Sequence, residues 1–208
     1  MTAIYHITHI DNLSALVGRG ALLSDTRIRE QGLTPQNIAY GNIKARRAAT
    51  AVTLPPRGVI SDYVPFYFCP RSPMLYAVHR DQVPGYEGGQ TNVVHLVADA
   101  ERLVAAGLNC LHTEGHAAVQ PIAFHRGCEG FPLLDWPLIR SASWANTVED
   151  GDRKRRKQAE FLVHGSVPWT AISQIGVIDA TIASQVSTLL ASAAHCPDVV
   201  VQPQWYYT

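Results

Sequence analysis

Short runs in which apolar residues cluster, or alternate with polar ones, recur along the chain and predict β-strands. The clearest are Ile4–Thr8, the aromatic run Tyr63–Phe68 and the apolar run Asn92–Ala98. Pro65 within the aromatic run indicates an edge strand or a bulge, because proline donates no hydrogen bond to a neighbouring strand. Further strands are predicted over Ala159–Val163, Gln174–Ile178 and Val199–Gln202.

Helical periodicity predicts short helices between these strands. The first runs from Asp11, a suitable N-cap, to about Val17, before Gly18 and Gly20. The others are Gln36–Arg47 (opened by Pro35), Asp99–Ala106 and Ile182–Ala194, while 115–146 is mostly loop. Because helices do not alternate regularly with strands, the pattern favours an α+β fold. No repeat or low-complexity linker divides the chain, so we expect one domain over residues 1–208.

Composition places the chain among globular proteins. Of 208 residues, 47% are hydrophobic and 16% are charged, which excludes a disordered or highly charged scaffold. No apolar run is long enough to cross a membrane, and no secretory signal is visible. The four cysteines are scattered without a Cys-x-x-Cys pair, so we expect reduced thiols and a cytoplasmic protein.

Charge is balanced overall, with 17 acidic and 17 basic residues, but it is uneven along the chain. Residues 153–157 are five consecutive lysines and arginines, and a second basic cluster comprises Lys44, Arg46, Arg47 and Arg57. Such runs are either solvated surfaces or edges that contact phosphates. Nearby aromatic residues suit stacking on unpaired bases, although Phe66 and Phe68 are better explained as core.

Candidate chemistry is limited to a few positions. Glu160 begins a strand-like apolar segment, where a carboxylate is costly unless it faces solvent or has a function. His6 and Thr8 share one face of the first strand, so they either bind a ligand or are hydrogen-bonded within the core. The segment 112–116, His-Thr-Glu-Gly-His, lacks the spacing of a zinc site, and no phosphate-binding glycine loop is present. We therefore expect no metal.

Three segments, taken together, resemble the DarT family of DNA ADP-ribosyltransferase toxins. They are Tyr5-His-Ile-Thr-His-Ile-Asp-Asn-Leu13, Asp62-Tyr-Val-Pro-Phe-Tyr-Phe-Cys-Pro-Arg-Ser-Pro-Met-Leu-Tyr76 and Gln158-Ala-Glu-Phe-Leu-Val163. The resemblance implies an ADP-ribosyltransferase-like split, mixed β core with flanking helices and a cleft for NAD as co-substrate. It also implies transfer of ADP-ribose to thymidine in single-stranded DNA, with loss of nicotinamide, and a macrodomain antitoxin partner of the DarG type.

The resemblance also implies roles for individual residues. Glu160 matches the catalytic glutamate, and His6 and Thr8 match the motif at the nicotinamide end of the NAD site. We expect Tyr40 and Tyr76 to contact NAD as well. The expected DNA-binding residues are Arg46, Arg47, Arg140, Trp144, Arg153, Lys154, Arg155 and Arg156.

One position departs from the family pattern. The resemblance implies a catalytic arginine about ten residues before the Asp62 motif, where this chain has Ala51. Either a neighbouring arginine serves instead, or the chain is an engineered Arg→Ala variant of reduced activity. We favour the second interpretation, since an active DNA-modifying toxin is hard to express; restoring arginine at 51 would then raise activity at least tenfold.

Alternative functions stay open at this point. The chain is alternatively an ADP-ribosyltransferase acting on guanosine, RNA or protein, or a non-catalytic module that binds single-stranded nucleic acid. A zinc-dependent deaminase or hydrolase requires stoichiometric zinc, which the absence of a ligand motif argues against.

Overall fold

The computed structural model describes residues 1–208 and contains a mixed eight-stranded sheet flanked by short helices. The strands are β1 (Ala3–His9), β2 (Ala21–Leu23), β3 (Tyr63–Tyr67), β4 (Val93–Asp99), β5 (Cys110–Thr113), β6 (Phe124–Arg126), β7 (Glu160–His164), β8 (Ser166–Pro168), β9 (Gln174–Val177) and β10 (Asp198–Val201). The helices are α1 (Leu13–Arg19), α2 (Asp25–Glu30), α3 (Gly41–Ala49), α4 (Pro73–His79), α5 (Ala100–Ala105), α6 (Trp136–Arg140), α7 (Arg153–Arg156) and α8 (Ala180–Leu190).

The sheet has the strand order β10-β9-β4-β1-β3-β7-β5-β6, and β2 pairs with β8 in a separate two-stranded ladder. All neighbours in the large sheet are antiparallel except β9 and β10, which are parallel. The α+β class is therefore confirmed, as are all six predicted strands within a residue or two of their bounds. Strands from both ends of the chain contribute to the one sheet.

The centre of the sheet is split between β1 and β3. These strands are paired only where Tyr5 faces Tyr67, whereas β1 is paired with β4 along its whole length. Beyond that single pair, His6 to His9 diverge from β3. The split opens a cleft in the middle of the fold, and the main buried core continues across the strands on both sides of it.

Three of the predicted helices differ from the structure at their ends. The first, expected from an Asp11 cap to about Val17, runs from Leu13 to Arg19, with Asn12 as its N-cap and Gly20 after its end. The predicted helix Gln36–Arg47 begins only at Gly41, because Asn12 holds Gln36 in an extended loop: its Oδ1 accepts from the Gln36 N–H at 2.8 Å and its Nδ2 donates to the Gln36 carbonyl at 3.0 Å. The last helix begins at the Asp179 cap and ends at Leu190, four residues earlier than predicted.

The segment 115–146 is more regular than predicted, since it contains β6 and α6. The sequence analysis also missed β5 and α4. The bounds of α4 are nonetheless encoded locally, because the Ser72 hydroxyl accepts from the Leu75 N–H at 3.1 Å and Pro73 occupies the first helical position. Phe66 and Phe68 belong to the core, as expected.

Candidate active site

The cleft in the split sheet encloses about 1060 Å³, including its open mouth. Its walls come from β1, the loop before α3, one face of α3 and the end of β3, and Glu160 forms part of its floor. The lining residues that carry chemistry are His6, Thr8, Asn12, Asp25, Lys44, Arg47, Tyr67, His116 and Glu160. A partly apolar cleft with a few convergent polar groups is the usual form of a small-molecule site.

Glu160 is the first residue of β7 and lies beside Tyr67 of β3 and Thr113 of β5. Its side chain is almost completely buried. One carboxylate oxygen, Oε2, accepts from Arg47 Nη1 at 2.7 Å, and the other, Oε1, accepts from the Ala117 N–H at 3.0 Å. Each oxygen retains a further acceptor position, so the carboxylate is fixed in place without being saturated.

Arg47 reaches Glu160 because of its position on α3. Residues three and four apart share one face of a helix, so Ile43, Lys44 and Arg47 all line the cleft, while Arg46 faces solvent. Arg47 is 7% exposed, and its second amino group, Nη2, is buried without a hydrogen-bond partner in the protein. A buried guanidinium N–H with no partner is a ready donor for an anionic or hydroxyl oxygen of a ligand.

The electrostatic surroundings keep Glu160 ionised. Burial by itself raises the pKa of a carboxyl group, but the Arg47 guanidinium, with the Ala117 N–H, outweighs burial and lowers the pKa of Glu160 below its ordinary value. The cleft therefore has a negative charge fixed at its floor at neutral pH.

His116 lies next to this carboxylate, with 3.5 Å between its Nδ1 and Glu160 Oε1. Burial lowers the pKa of His116, and the Glu160 charge only partly opposes that effect, so the ring is neutral at neutral pH. The Ala118 N–H donates to Nδ1 at 3.1 Å, which places the ring proton on Nε2. The neutral ring therefore retains Nε2–H as a donor.

His6 and Thr8 both line the cleft on the β1 side. His6 Nδ1 donates to the Pro65 carbonyl at 2.8 Å, and burial lowers the pKa of His6, so Nε2 is an acceptor. Thr8 Oγ1 accepts from Asn12 Nδ2 at 3.0 Å. The same Asn12 amide holds Gln36, and thereby fastens the loop before α3 to the strand that carries His6.

The structure places Ala51 outside the site. Helix α3 ends at Ala49, and Ala51 is exposed in an extended segment whose backbone pairs with Val59. A guanidinium does lie beside Glu160, but it belongs to Arg47, one helical turn before position 51. The geometry thus corrects two expectations: Arg47 is not a surface contact, and position 51 does not face the cleft.

Tyr40 and Tyr76 do not line the cleft, in contrast to the expectation that they contact NAD. Tyr40 is the N-cap of α3 and packs on the core behind it. Tyr76 is exposed on α4, with its ring 5.1 Å from Tyr207 and 5.7 Å from Trp144. Met74, two residues earlier on α4, does line the cleft, whereas Tyr76 and its aromatic neighbours lie on another, exposed side of the same helix.

The basic run 153–157 braces the preceding loop. Arg153 donates to the Ala145 and Ser143 carbonyls at 3.0 and 2.9 Å. Arg155 pairs with Asp152 at 2.6 Å. Arg156 pairs with Asp135 at 3.2 Å, and also with Asp150. The buried Lys157 donates to the Ile139 and Ser141 carbonyls.

Of this run only Lys154 is exposed. Acidic side chains and backbone carbonyls already occupy most donors of Arg153, Arg155 and Arg156, which argues against the expectation that they contact DNA phosphates. Arg46 and Arg140, in contrast, are exposed, as expected of surface contacts.

Replacing Arg156 with glutamine is expected to lower Tm by about 2–4 °C, the shift that about 1 kcal/mol produces in a chain of this size. The reason is loss of its contacts with two loop carboxylates, which thermal unfolding measures. Lys154→Gln is the matched control and leaves Tm unchanged. Equal Tm values for the two variants contradict the bracing role.

The sequence analysis missed Asn12, Lys44, Tyr67 and His116 as cleft residues. Lys44 pairs with Asp25 at 3.1 Å at the mouth of the cleft. The position of Lys44 could have been predicted from the sequence, because it lies one helical turn before Arg47 and so shares a helix face with it. His116 carried no usable signal, because it reaches Glu160 from a loop more than forty residues away in sequence.

No group of three or more His, Cys, Asp or Glu side chains in the structure is placed to hold a metal ion. The four cysteines are all free. None of the helices has the length and apolar character of a membrane-spanning segment.

A split mixed sheet with a buried glutamate at the floor of the split agrees with the ADP-ribosyltransferase architecture that the sequence resemblance implied. Relatives identify it further. A family model described as "ssDNA thymidine ADP-ribosyltransferase, DarT" matches residues 5–207. The chain is 46% identical over 208 residues to a DNA ADP-ribosyl transferase of Thermus aquaticus, covering 99% of this chain and 89% of that protein. The chain therefore belongs to the DarT family.

Solved structures agree with this assignment. Thermus sp. 2.9 DarT in complex with ADP-ribosylated ssDNA has a TM-score of 0.92 and 40% identity, covering 99% of this chain and 96% of that one. The same protein in complex with NAD+ has a TM-score of 0.86 and 38% identity, covering 99% and 98%. A fusion protein of a DNA ADP-ribosyl transferase and a DNA ADP-ribosyl glycohydrolase from Thermosipho africanus is 28% identical over 181 residues, which are 87% of this chain and 44% of the fusion.

Proposed function

We propose that this chain transfers ADP-ribose from NAD to thymidine in single-stranded DNA and releases nicotinamide. The observation that carries the proposal is the buried ion pair of Glu160 and Arg47 at the floor of the cleft. Membership of the DarT family and the likeness to a relative solved with NAD+ support NAD as the co-substrate. The buried Arg47 Nη2, which has no partner in the protein, suits an oxygen of that dinucleotide.

The proposed role of Glu160 follows from charge. Cleavage of the nicotinamide–ribose bond leaves positive charge on the ribose, as in glycoside hydrolysis, and a fixed carboxylate beside it lowers the barrier. The free acceptor position on each Glu160 oxygen also suits a second role, acceptance of the N3 proton of thymine as the new bond forms. Arg47 fixes the carboxylate in the geometry that both roles need.

We assign the histidines complementary hydrogen-bonding roles. Neutral His116 offers an Nε2–H donor beside Glu160, which suits a carbonyl oxygen of thymine. Neutral His6 offers an Nε2 acceptor on the β1 side, which suits the amide of nicotinamide. Thr8, held by Asn12, lines the same wall.

For the DNA strand we propose the exposed side of α4, the helix whose Met74 lines the cleft. The rings of Tyr76, Trp144 and Tyr207 form an aromatic cluster there, and stacking on such rings is the usual way in which single strands are held. Tyr76 is thus reassigned from NAD to DNA, and Trp144 keeps its expected role. Arg46, Arg140 and Lys154 remain candidates for phosphate contacts because their side chains are exposed.

Incubation with adenine-labelled NAD and oligonucleotides that each lack one base tests the proposal. We expect label and the mass of one ADP-ribose in every single strand that contains thymine, and none in the strand without it. Nicotinamide is released in equal amount. Label that appears only on protein, RNA or a thymine-free strand contradicts the proposal and favours another ADP-ribosyltransferase activity. Binding of single strands with no binding of NAD favours a non-catalytic module.

We further propose that the partner of the chain is a macrodomain antitoxin of the DarG type that removes the modification. The fusion of a transferase with a DNA ADP-ribosyl glycohydrolase in Thermosipho africanus supports this pairing. The free cysteines and the dependence on NAD support action in the cytoplasm.

A further inference from the structure

A second cavity, of about 830 Å³, lies beside the cleft and has no assigned role. Its walls come from the end of β3, from α6 and from the C-terminal segment that contains Gln204 and Trp205. Three cationic side chains line it, namely Arg71, Arg140 and Lys157, and no carboxylate does. We call this cavity the cationic pocket.

None of these three cations contacts a carboxylate, whereas four other cations of the protein do: Lys44, Arg47, Arg155 and Arg156. Arg140 instead lies over the Trp136 ring at 5.3 Å, and the Lys157 ammonium donates to backbone carbonyls at 2.6 and 2.9 Å. Positive charge in the cationic pocket is therefore uncompensated.

Lys157 is a fixed part of the pocket wall. It is 2% exposed, and its two carbonyl contacts, with Ile139 and Ser141, hold it in place. A buried cation keeps most of its field because water screens it poorly. The planar guanidinium groups of Arg71 and Arg140 add paired donors that match the oxygens of a phosphate.

The strand pairing places the cationic pocket next to Glu160. Tyr5 lines the pocket and is paired with Tyr67, and Tyr67 is paired with Glu160. Neighbouring strands are about 4.8 Å apart, so the pocket wall lies roughly 10 Å from Glu160. An extended nucleic-acid strand spans such a distance within one or two nucleotides. The aromatic cluster adjoins the pocket too, because Tyr207 Oη donates to the Arg71 carbonyl at 3.1 Å.

We propose that the cationic pocket is a phosphate subsite, which binds a backbone phosphate of the DNA strand next to the thymidine that reacts. The inference rests on the proposed function for the identity of the strand. Two guanidinium groups and a buried ammonium would hold free inorganic phosphate in the same way as a phosphate of the DNA backbone. The test therefore has to distinguish DNA phosphate from free phosphate.

The test compares wild type with Arg71→Gln/Arg140→Gln, and Lys157 is left intact because it also braces the loop. Fluorescence anisotropy with a thymine-containing single strand is measured over a range of salt concentrations. We expect about tenfold weaker binding and a salt slope smaller by about 0.7, the change for one lost phosphate contact on a single strand. The KM for NAD stays unchanged. Arg102→Gln, an exposed arginine on α5, is the matched control and binds like wild type. Thermal unfolding verifies that all variants are folded.

A second arm uses strands in which one phosphate at a time is an uncharged methylphosphonate. Wild type should lose affinity at one position near the thymidine, and the double variant should lose none there. Equal losses in both proteins at every position overturn the proposal. So does calorimetry in which inorganic phosphate binds only wild type while the DNA affinities are equal, since the pocket then takes the free anion.

The labelling assay run in parallel separates this inference from the proposed function. If wild type labels thymine strands but the double variant binds them equally well, only the phosphate subsite is wrong. If wild type labels no strand, the proposed function fails whatever the affinities.

Discussion

Replacing Glu160 with glutamine is expected to lower the rate of transfer from NAD to DNA by about 10³-fold, while NAD binding changes only a few-fold. Glutamine has nearly the same shape and still accepts a hydrogen bond, so the cleft keeps its form. It lacks the negative charge that opposes the charge developing on the ribose, and it takes up no proton from thymine. Single-turnover labelling of a thymine-containing strand gives the rate, and calorimetry with NAD gives the affinity.

A control for this prediction is Glu87→Gln, which changes an exposed glutamate outside the cleft and should leave both quantities unchanged. Because the glutamine variant also leaves Arg47 without its counter-ion, its Tm has to be compared with that of wild type. A folded Glu160→Gln protein that retains a tenth or more of the wild-type rate rules out the proposed role of the carboxylate.

Replacing Arg47 with alanine is expected to slow transfer by about 10²–10³-fold. The variant removes the donor that orients Glu160 and leaves a buried carboxylate without its partner. Arg47→Lys keeps the positive charge and should retain more activity than alanine, though less than wild type, since the second donor is lost. Rates are measured under single-turnover conditions with NAD and DNA both saturating.

The Arg47→Ala substitution should also change the pH dependence of the transfer rate. Arg47 helps to lower the pKa of Glu160, so in wild type the activity falls only below the ordinary titration range of a glutamate. Without Arg47 burial dominates, the pKa of Glu160 rises, and the acid limb of the pH–rate profile moves to higher pH. A slower variant with an unshifted acid limb contradicts the electrostatic part of the argument.

The Ala51→Arg variant tests whether position 47 or position 51 supplies the guanidinium that acts with Glu160. If Arg47 supplies the guanidinium, arginine at the exposed position 51 leaves the rate within twofold of wild type. A rise of tenfold or more restores the interpretation of the chain as an engineered variant of reduced activity.

Several parts of the fold and the site were predictable from local sequence. The six strands were found because alternation and apolar runs are local signals. One of them, β7, begins at Glu160, the residue that the DarT resemblance singled out. His6 and Thr8 were predicted to share a face of β1, and both line the cleft. The missed α4 carried its own signal in Ser72 and Pro73, which cap and open the helix.

Arg47 was assigned to the wrong surface because its role depends on where α3 ends. A count of residues back from the Asp62 motif gives position 51, but a side chain reaches the cleft only from the correct face of the helix. The basic run was misread for a related reason. Its charges lie together in sequence, yet their partners Asp135, Asp150 and Asp152 are identified only once the loop has folded back on them.

The sequence by itself determined the α+β class, the strands and the kind of chemistry available, because periodicity and a carboxylate in an apolar strand are properties of neighbouring residues. Only the tertiary structure decided which cation faces Glu160, that His116 joins it, and which arginines keep uncompensated charge. The physical reason is that ion pairs and pKa values depend on distances of a few ångströms between residues that are far apart in the chain, and the split between β1 and β3 sets those distances.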